Sequence, residues 1–239
     1  MSFRETTVTA NGVRFGALEA GDGPLVLLLH GFPDNAWTWE HQIAALARAG
    51  YRTVAPFLRG HPPTEAPAEP FDTETLTLDA HALIEALGEE RAYVVGHDWG
   101  ALATMNLAGL HPESLIGGVA IGAGHPATAI EIFDLPEQLQ SAFHVWLFQL
   151  EGFGELAARS NDLALVDYLW EKWSAQPVDW HHVNRVKNTL AGPGVIEALL
   201  SYYRGLVRIP SDKPEFFECV IAPTTVPTLV VYGSEDPGR

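Results

Sequence analysis

The segment Val94-Val-Gly-His-Asp-Trp-Gly-Ala101 places an aspartate between two structured elements. Aliphatic residues precede Gly96 and small residues follow Gly100, as expected for a buried strand that leads into a helix. The spacing Gly96-x-Asp98-x-Gly100 is that of a strained strand-to-helix turn on which a nucleophile is held exposed. The N-terminus of the following helix also favours a negative charge. The pattern therefore predicts that Asp98 is a nucleophile, with an ordinary helix N-cap as the alternative.

An aspartate in this place favours attack on saturated carbon. Its carboxylate, with a usual pKa of about 4, is ionised at neutral pH and needs no base for the first attack. A serine, as in esterases and lipases, would need an adjacent histidine. Leu29-His-Gly-Phe-Pro33 follows a second aliphatic run, where a loop can supply one backbone N–H to an oxyanion hole. The predicted donors are the N–H groups of Phe32 and Trp99, unless this loop is a plain Gly-Pro turn.

The elements that must position these residues follow an α/β pattern. Over residues 1–124, aliphatic runs alternate with helical apolar spacing, which favours a mostly parallel sheet flanked by helices. Residues 125–222 contain several helical stretches and many aromatics, as is typical of a helical cap over a site. A strand pattern returns within residues 223–239. We therefore predict one core in two parts, 1–124 and 223–239, interrupted by a cap at 125–222.

Together, His30-Gly-Phe-Pro33 and Gly96-His-Asp-Trp-Gly100 resemble the motifs of the α/β-hydrolase fold, in its soluble epoxide hydrolase branch. The resemblance covers nearly the whole chain. It implies that Asp98 attacks an epoxide carbon and forms an alkyl-enzyme ester. A water activated by histidine then attacks the ester carbonyl and releases a vicinal diol. The implied partners are a small epoxide and water, with no cofactor.

The same resemblance assigns proton donors in the cap. Ser201-Tyr202-Tyr203-Arg204 is similar to an aromatic-Tyr-Arg motif whose tyrosine opens the ring, which gives that role to Tyr203 and leaves Tyr202 as packing or pocket wall. A second cap tyrosine is usual, and His144 stands in its place here. The alternatives are tyrosines that only pack and a structural histidine. Further residues predicted to line the pocket are His30, Trp37 and Trp146.

The rest of the triad is only partly assigned. Asp236 in Gly233-Ser-Glu-Asp236 is the predicted acid that orients the base, with Glu235 as a weaker candidate. The base should be a histidine after the acid, and none of the 10 histidines follows Asp236. We expect the natural chain to continue with the last strand, its helices and this histidine. Without the base, an ester on Asp98 should hydrolyse very slowly, and Leu229–Tyr232 should form an exposed apolar edge.

Two other functions stay open at this stage. Haloalkane dehalogenases also carry an Asp-Trp pair in this turn. They typically add an asparagine after the His-Gly or a second cap tryptophan, and Phe32 stands in the asparagine position here. Fluoroacetate dehalogenases have arginine where this chain has Trp99. An inactive relative or a ligand-binding protein of the same fold is the candidate outside the enzymes.

Composition excludes several classes of function. The chain has 239 residues and a net charge of −16, which disfavours nucleic acid and anionic membrane surfaces as partners. A single cysteine excludes an intrachain disulfide and a cysteine-ligated metal site. The adjacent His181 and His182 would lie on different helix faces, so no metal is predicted. There is no run of about 18 apolar residues and no secretory h-region. We expect a cytoplasmic monomer or homodimer.

Overall fold

In a computed structural model, which describes residues 3–66, 71–128 and 136–236, seven strands form one sheet. The sheet order is β1-β2-β4-β3-β5-β6-β7. The strands are β1 (Arg4–Ala10), β2 (Val13–Ala20), β3 (Leu25–Leu29), β4 (Arg52–Pro56), β5 (Ala92–His97), β6 (Leu115–Ile121) and β7 (Thr228–Val231). β1 pairs with β2, and β2 with β4, in antiparallel fashion, and all other pairs are parallel. The predicted α/β architecture is confirmed.

The centre of the sheet brings the two sequence motifs together. All five residues of β3 are buried, as expected for a strand that is covered on both faces. β3 runs parallel to β5, with Leu29 opposite Gly96 in the register. The loops that leave these strands therefore start side by side, at the same edge of the sheet. The Gly100 N–H donates to the His30 carbonyl (3.1 Å) and joins the two loops.

Among the described residues, three α-helices accompany the first six strands: α1 (Glu40–Arg48), α2 (Thr73–Ala86) and α3 (Trp99–Leu110). Helical spacing from Trp37 to Ala49 predicts one continuous helix. The structure instead has a 3₁₀ turn over Ala36–Trp39 before α1. The reason is local, because the Asn35 side chain accepts from the Trp37 N–H (3.1 Å) and tightens this turn.

Six helices separate β6 from β7 in the described part of the chain. They are α4 (Pro136–Ser141), α5 (Phe143–Leu147), α6 (Phe153–Trp173), α7 (Trp180–Leu190), α8 (Val195–Asp212) and α9 (Pro214–Ile221). α9 packs against α3 of the core, and a Cβ on Gly109 of α3 would meet the Cys219 carbonyl at 3.1 Å. The cap limits of 125 and 222 stay a prediction.

β7 presents apolar side chains to solvent. Leu229 is 60% exposed, and Val230 and Val231 are about 40% exposed. Within the described residues, β7 pairs only with β6. No helix in those same ranges has the length and apolar composition needed to cross a membrane.

Candidate active site

Asp98 occupies a turn that only glycine-rich sequence can form. Its backbone has φ of 53° and ψ of −115°, a conformation that costs a non-glycine residue about 1–3 kcal/mol. A Cβ on Gly96 would lie 1.9 Å from the Gly100 carbonyl oxygen. A Cβ on Gly100 would lie 2.1 Å from the Leu29 carbonyl oxygen. The two glycines therefore allow β5 and α3 to pack closely, and the tight turn between them holds Asp98 at the edge of the sheet.

The Asp98 carboxylate interacts with the neighbouring loop and with the first residue of its own helix. It makes no N-cap hydrogen bond further along α3, which argues against the N-cap alternative. Its Oδ1 accepts the Phe32 N–H at 2.8 Å, and the Trp99 N–H is a second donor to the carboxylate. A Cβ on Gly31 would lie 2.3 Å from this oxygen, so the loop needs glycine here. The two predicted oxyanion donors thus both act on Asp98.

The surroundings of Asp98 have opposing effects on the pKa of its carboxyl group. Burial raises the pKa of Asp98 above its ordinary value, and the charge of Asp34 acts the same way. His97 and the N–H groups of Phe32 and Trp99 lower the pKa and partly offset the burial. The two amides stabilise the ionised form, which is the form that can attack carbon.

Tyr203 projects from α8 towards this carboxylate. Its ring lies edge-on to Trp99 (4.8 Å between centroids) and to Phe32 (5.6 Å). Burial raises the pKa of Tyr203 well above its ordinary value, and the charge of Asp98 adds to the rise. The nearby Trp99 side chain lowers the pKa of Tyr203 and partly offsets this rise. Neither the Tyr203 hydroxyl nor the Trp99 indole N–H makes a hydrogen bond of ordinary geometry within the described residues. Tyr203 therefore holds a protonated hydroxyl near Asp98, with the Trp99 side chain as its polar neighbour.

His144 lies beside Tyr203. The two ring centroids are 5.4 Å apart, and Phe148 packs on both. The Gln149 side chain donates to the Tyr203 carbonyl (2.9 Å) and ties the end of α5 to α8. Burial lowers the pKa of His144 to about 4, so the imidazole is neutral at neutral pH. Its Nδ1 has no hydrogen-bond partner in the described part of the chain.

Tyr202 faces a different environment from its neighbour. Its hydroxyl donates to the Arg59 carbonyl (2.8 Å), and its ring stacks on Trp99 (5.5 Å). Both contacts are typical of core packing. Of the two predicted roles, packing fits the structure, because the polar atom that could meet a substrate is already engaged.

Two predicted pocket residues lie elsewhere and require correction. His30 is fully buried, its Nε2 accepts the Leu58 N–H (3.0 Å), and its Nδ1 lies 3.0 Å from the Gly31 carbonyl oxygen. Both ring nitrogens therefore support the loop backbone, and neither is left for a substrate. Trp37 packs against Phe57, with the Arg185 guanidinium 4.2 Å from its ring centroid. Its place in the 3₁₀ turn, which the Asn35 side chain tightens, sets these contacts.

Trp146 is on α5, two residues beyond His144. At 3.6 residues per turn, that spacing places it about 200° around the helix from His144. Since His144 and Phe148 both contact Tyr203, Trp146 belongs to the opposite face of α5. Its predicted role in the pocket stays a prediction.

Asp236 follows β7 at the same edge of the sheet as Asp98. Its N–H donates to the Gly233 carbonyl (3.2 Å). A Cβ on Gly122 would lie 3.9 Å from Asp236 Oδ2 and 3.4 Å from His97 Nε2. The acid is thus near the residue that precedes the nucleophile, with β6 between the two strands. Its predicted role in orienting a base stays a prediction.

Two residues near the site are in contact, although nothing in the sequence predicts that they meet. Asp34 follows the predicted oxyanion loop, and His182 lies on α7. The His182 Nε2 is 2.7 Å from Asp34 Oδ1, and both side chains are largely buried. The sequence marks His182 only as a weak metal candidate. Within the described ranges, no group of three or more His, Cys, Asp or Glu side chains could hold a metal ion.

A model of the alpha/beta hydrolase fold family matches residues 24–238. The chain belongs to this family. It is 34% identical over 237 residues to the AB hydrolase superfamily protein YfhM of Bacillus subtilis, with 96% of this chain and 80% of the relative covered. It is 32% identical to epoxide hydrolase 3 of Xenopus tropicalis, with 95% of this chain and 62% of the relative covered. The chain therefore spans less than two thirds of that α/β-hydrolase relative.

Solved structures of α/β hydrolases agree with this assignment. Epoxide hydrolase VrEH1 of Vigna radiata superposes with a TM-score of 0.80 at 28% identity, covering 98% of this chain and 80% of that chain. Epoxide hydrolase A of Mycobacterium thermoresistibile gives 0.80 at 25% identity, covering 98% and 83%. The resemblance to epoxide hydrolases predicted from the two motifs is confirmed.

Proposed function

We propose that this α/β hydrolase opens epoxides to vicinal diols through an ester on Asp98. An oxygen of the Asp98 carboxylate attacks one ring carbon, and the bond between that carbon and the ring oxygen breaks. The ring oxygen takes a proton from the Tyr203 hydroxyl. The negative charge of the carboxylate thereby passes to the Tyr203 oxygen, and the total charge of the site is unchanged.

The second step returns the site to its starting state. Water attacks the carbonyl carbon of the ester, with the N–H groups of Phe32 and Trp99 as donors to the developing oxyanion. The carbon–oxygen bond of the ester on the Asp98 side breaks and releases the diol. One proton of the water ends on the oxygen that leaves the ester, which becomes a diol hydroxyl. The other proton passes through a base to the Tyr203 oxygen, and Asp98 regains its charge. Asp236 is the acid we assign to orienting that base.

His144 assists in the first step as a neutral group. With a pKa of about 4, it cannot supply a proton from a charged imidazole at neutral pH. As a neutral ring beside Tyr203, it can donate one hydrogen bond to the ring oxygen. Tyr203 and His144 thus together supply two hydrogen-bond donors to the oxygen of the epoxide ring.

The observation that carries the proposal is the arrangement of Asp98 and Tyr203. The carboxylate accepts backbone N–H groups of the loop and of Trp99. The Tyr203 hydroxyl lies near it, with a raised pKa and no hydrogen bond of ordinary geometry among the described residues. A buried polar atom without a partner costs about 1–3 kcal/mol. That cost is explained if a substrate supplies the partner. A small epoxide and water are the proposed partners, and the oligomeric state stays a prediction.

Intact-mass spectrometry with styrene oxide tests the ester. We expect a mass gain equal to one styrene oxide, mapped to the peptide that holds Asp98. The gain should be absent in Asp98→Ala and present in Asp179→Ala, which removes an exposed aspartate from the cap. A single turnover in heavy-oxygen water should place the heavy oxygen in Asp98 and leave the diol unlabelled. Heavy oxygen in the diol, or an adduct that survives Asp98→Ala, would contradict the proposal.

One observation favours a second candidate, haloalkane dehalogenation. The Trp99 indole N–H is buried without a hydrogen-bond partner among the described residues, and such a donor can bind a departing halide. Phe32 offers only its backbone N–H where an asparagine side chain would be the second donor. Halide release from 1-bromobutane, without diol formation from styrene oxide, would favour dehalogenation. Neither product, with no adduct on Asp98, would favour an inactive or ligand-binding relative.

A further inference from the structure

The cap holds the loop that follows Phe32 at three consecutive residues. Each of these residues makes one hydrogen bond to α6 or α7, although the partners are more than 130 positions away in the sequence. The bonds are Trp170 Nε1 to the Pro33 carbonyl (2.9 Å), His182 Nε2 to Asp34 Oδ1 (2.7 Å) and Asn35 Nδ2 to Thr189 Oγ1 (3.2 Å). The cap is therefore fastened to the oxyanion loop itself.

The bond between His182 and Asp34 is the strongest of the three. It is the shortest, its acceptor is a carboxylate, and the two side chains are only 14% and 6% exposed. Hydrogen bonds to charged groups are worth roughly twice those between neutral groups. The Trp170 ring packs edge-on against His182 (5.5 Å) and fixes the imidazole from the other side.

Asp34 passes this restraint to the oxyanion donor. Its Oδ1 also accepts the Asn35 N–H (2.7 Å), and its own N–H donates to the Gly31 carbonyl (3.1 Å). These bonds close the turn that presents the Phe32 N–H to Asp98. A shift of Asp34 would therefore move the donor away from the nucleophile.

We propose that His182 is a positioning residue of the oxyanion hole, which acts through Asp34 to aim the Phe32 N–H at Asp98. The aim of the N–H follows from the contacts alone, and only its consequence for catalysis rests on the proposed function. His182 itself does not contact the reacting atoms. The oxyanion hole is then set jointly by the core and the cap, and it forms fully only when α7 lies against the loop.

The consequence for Asp98 has a definite sign. Asp98 faces His97 from its own strand, Asp34 from the loop and Tyr203 from the cap. A lost Phe32 N–H removes a bond to the ionised carboxylate, which raises its pKa. The lost bond therefore moves the acid limb of Asp98 alkylation to higher pH.

Amide hydrogen exchange of the loop tests the positioning role directly. The amides of Phe32, Asp34 and Asn35 are all hydrogen-bonded and should be protected. In His182→Leu, we expect their exchange to accelerate about tenfold or more. His182→Gln keeps a donor for Asp34 and should restore protection. Asp34→Ala removes the same bond from the other side and should repeat the acceleration if His182→Leu does not fold.

Arg185→Leu is the matched control on the same helix. Arg185 reaches Glu40 (3.5 Å) and the Trp37 ring, so its loss loosens the contact of α7 with the core away from the loop. Unchanged loop exchange in both His182→Leu and Asp34→Ala, or an equal rise in Arg185→Leu, would overturn the proposal.

The pH profile of Asp98 alkylation by styrene oxide gives the second readout. In His182→Leu, we expect the acid limb to move up by about one pH unit, with no move in His182→Gln or Arg185→Leu. If loop exchange accelerates but the acid limb does not move, the position of the Phe32 N–H has no effect on the pKa of Asp98, and the proposal is overturned. If the unaltered protein forms no adduct while exchange responds as expected, the proposed function fails and the positioning role stands.

Discussion

Tyr202 and Tyr203 are neighbours on α8, but they face opposite kinds of environment. The Tyr202 hydroxyl donates to Arg59, whose guanidinium is bonded to Asp79 and, more weakly, to the Asn11 carbonyl. The Asn11 side chain in turn donates to Asp79 (2.7 Å). On the side of Trp99 that packs against Tyr202, the Tyr202 hydroxyl, the Arg59 guanidinium and the Asp79 carboxylate all have hydrogen-bond partners.

The side of Trp99 that faces Asp98 is different. Three buried polar atoms there have no hydrogen-bond partner within the described residues: Trp99 Nε1, His144 Nδ1 and the Tyr203 hydroxyl. A folded protein leaves such atoms unpaired only at a cost in stability. One helix, α8, thus packs Tyr202 into the fold, and we propose that it presents Tyr203 to a ligand.

Asp79→Ala should have the largest effect on stability. It leaves the Arg59 guanidinium buried and unpaired, because both groups are less than 10% exposed. Breaking a buried pair in this way costs about 3–5 kcal/mol in the free energy of unfolding. Urea unfolding measures the loss. Glu197→Ala removes the half-exposed pair with Arg159 and should cost less than about 1 kcal/mol. Equal losses in the two variants would contradict the assignment of the Arg59 cluster to the fold.

Tyr203→Phe should have the largest effect on chemistry at little cost in stability. It removes the proposed proton donor, and general-acid groups contribute about 10²-fold or more to rate. It also removes a buried hydroxyl that has no hydrogen bond among the described residues, so the free energy of unfolding should fall little or rise. Single-turnover alkylation of Asp98 and urea unfolding measure the two quantities. A stability loss without a rate loss would make Tyr203 a packing residue.

Tyr202→Phe is the converse of that experiment. The Arg59 carbonyl loses its hydroxyl donor, which should cost about 1–2 kcal/mol in the free energy of unfolding. The rate constant for alkylation should change less than about twofold, because the ring that stacks on Trp99 is kept. A rate loss like that of Tyr203→Phe would show that both tyrosines face the substrate.

Local patterns explain why much of this molecule was predictable from its sequence. The strand, glycine spacing and small-residue helix around Asp98 are all short-range signals, and so is the aliphatic run of β3. Their parallel pairing then places Phe32 and Asp98 together, as predicted. The α/β core was accessible for the same reason.

The errors lie where rotation of an element or distant contacts decide the outcome. A 3₁₀ turn, not visible from apolar spacing, turns Trp37 towards Phe57. His30 sits in the right loop, but backbone groups of Leu58 and Gly31 engage its ring. The bond between Asp34 and His182 joins residues 148 positions apart, and only the packing of the cap brings them together.

The pH profile of alkylation separates the two ways in which His144 could act. Attack needs the Asp98 carboxylate, so the rate should rise with pH through the pKa of Asp98, which burial raises above the ordinary range for aspartate. With the pKa of His144 lowered to about 4, its deprotonation should cause no loss of rate at neutral pH. The rate should then stay level until Tyr203 ionises, well above its ordinary pKa. His144→Gln should lower the plateau severalfold and leave the shape of the profile unchanged. The rate could instead fall as the pH rises through neutrality, and this fall could vanish in His144→Gln. That result would make the charged imidazole the donor. The side of Trp99 that faces Asp98 would then hold a charged group as well as polar atoms without partners.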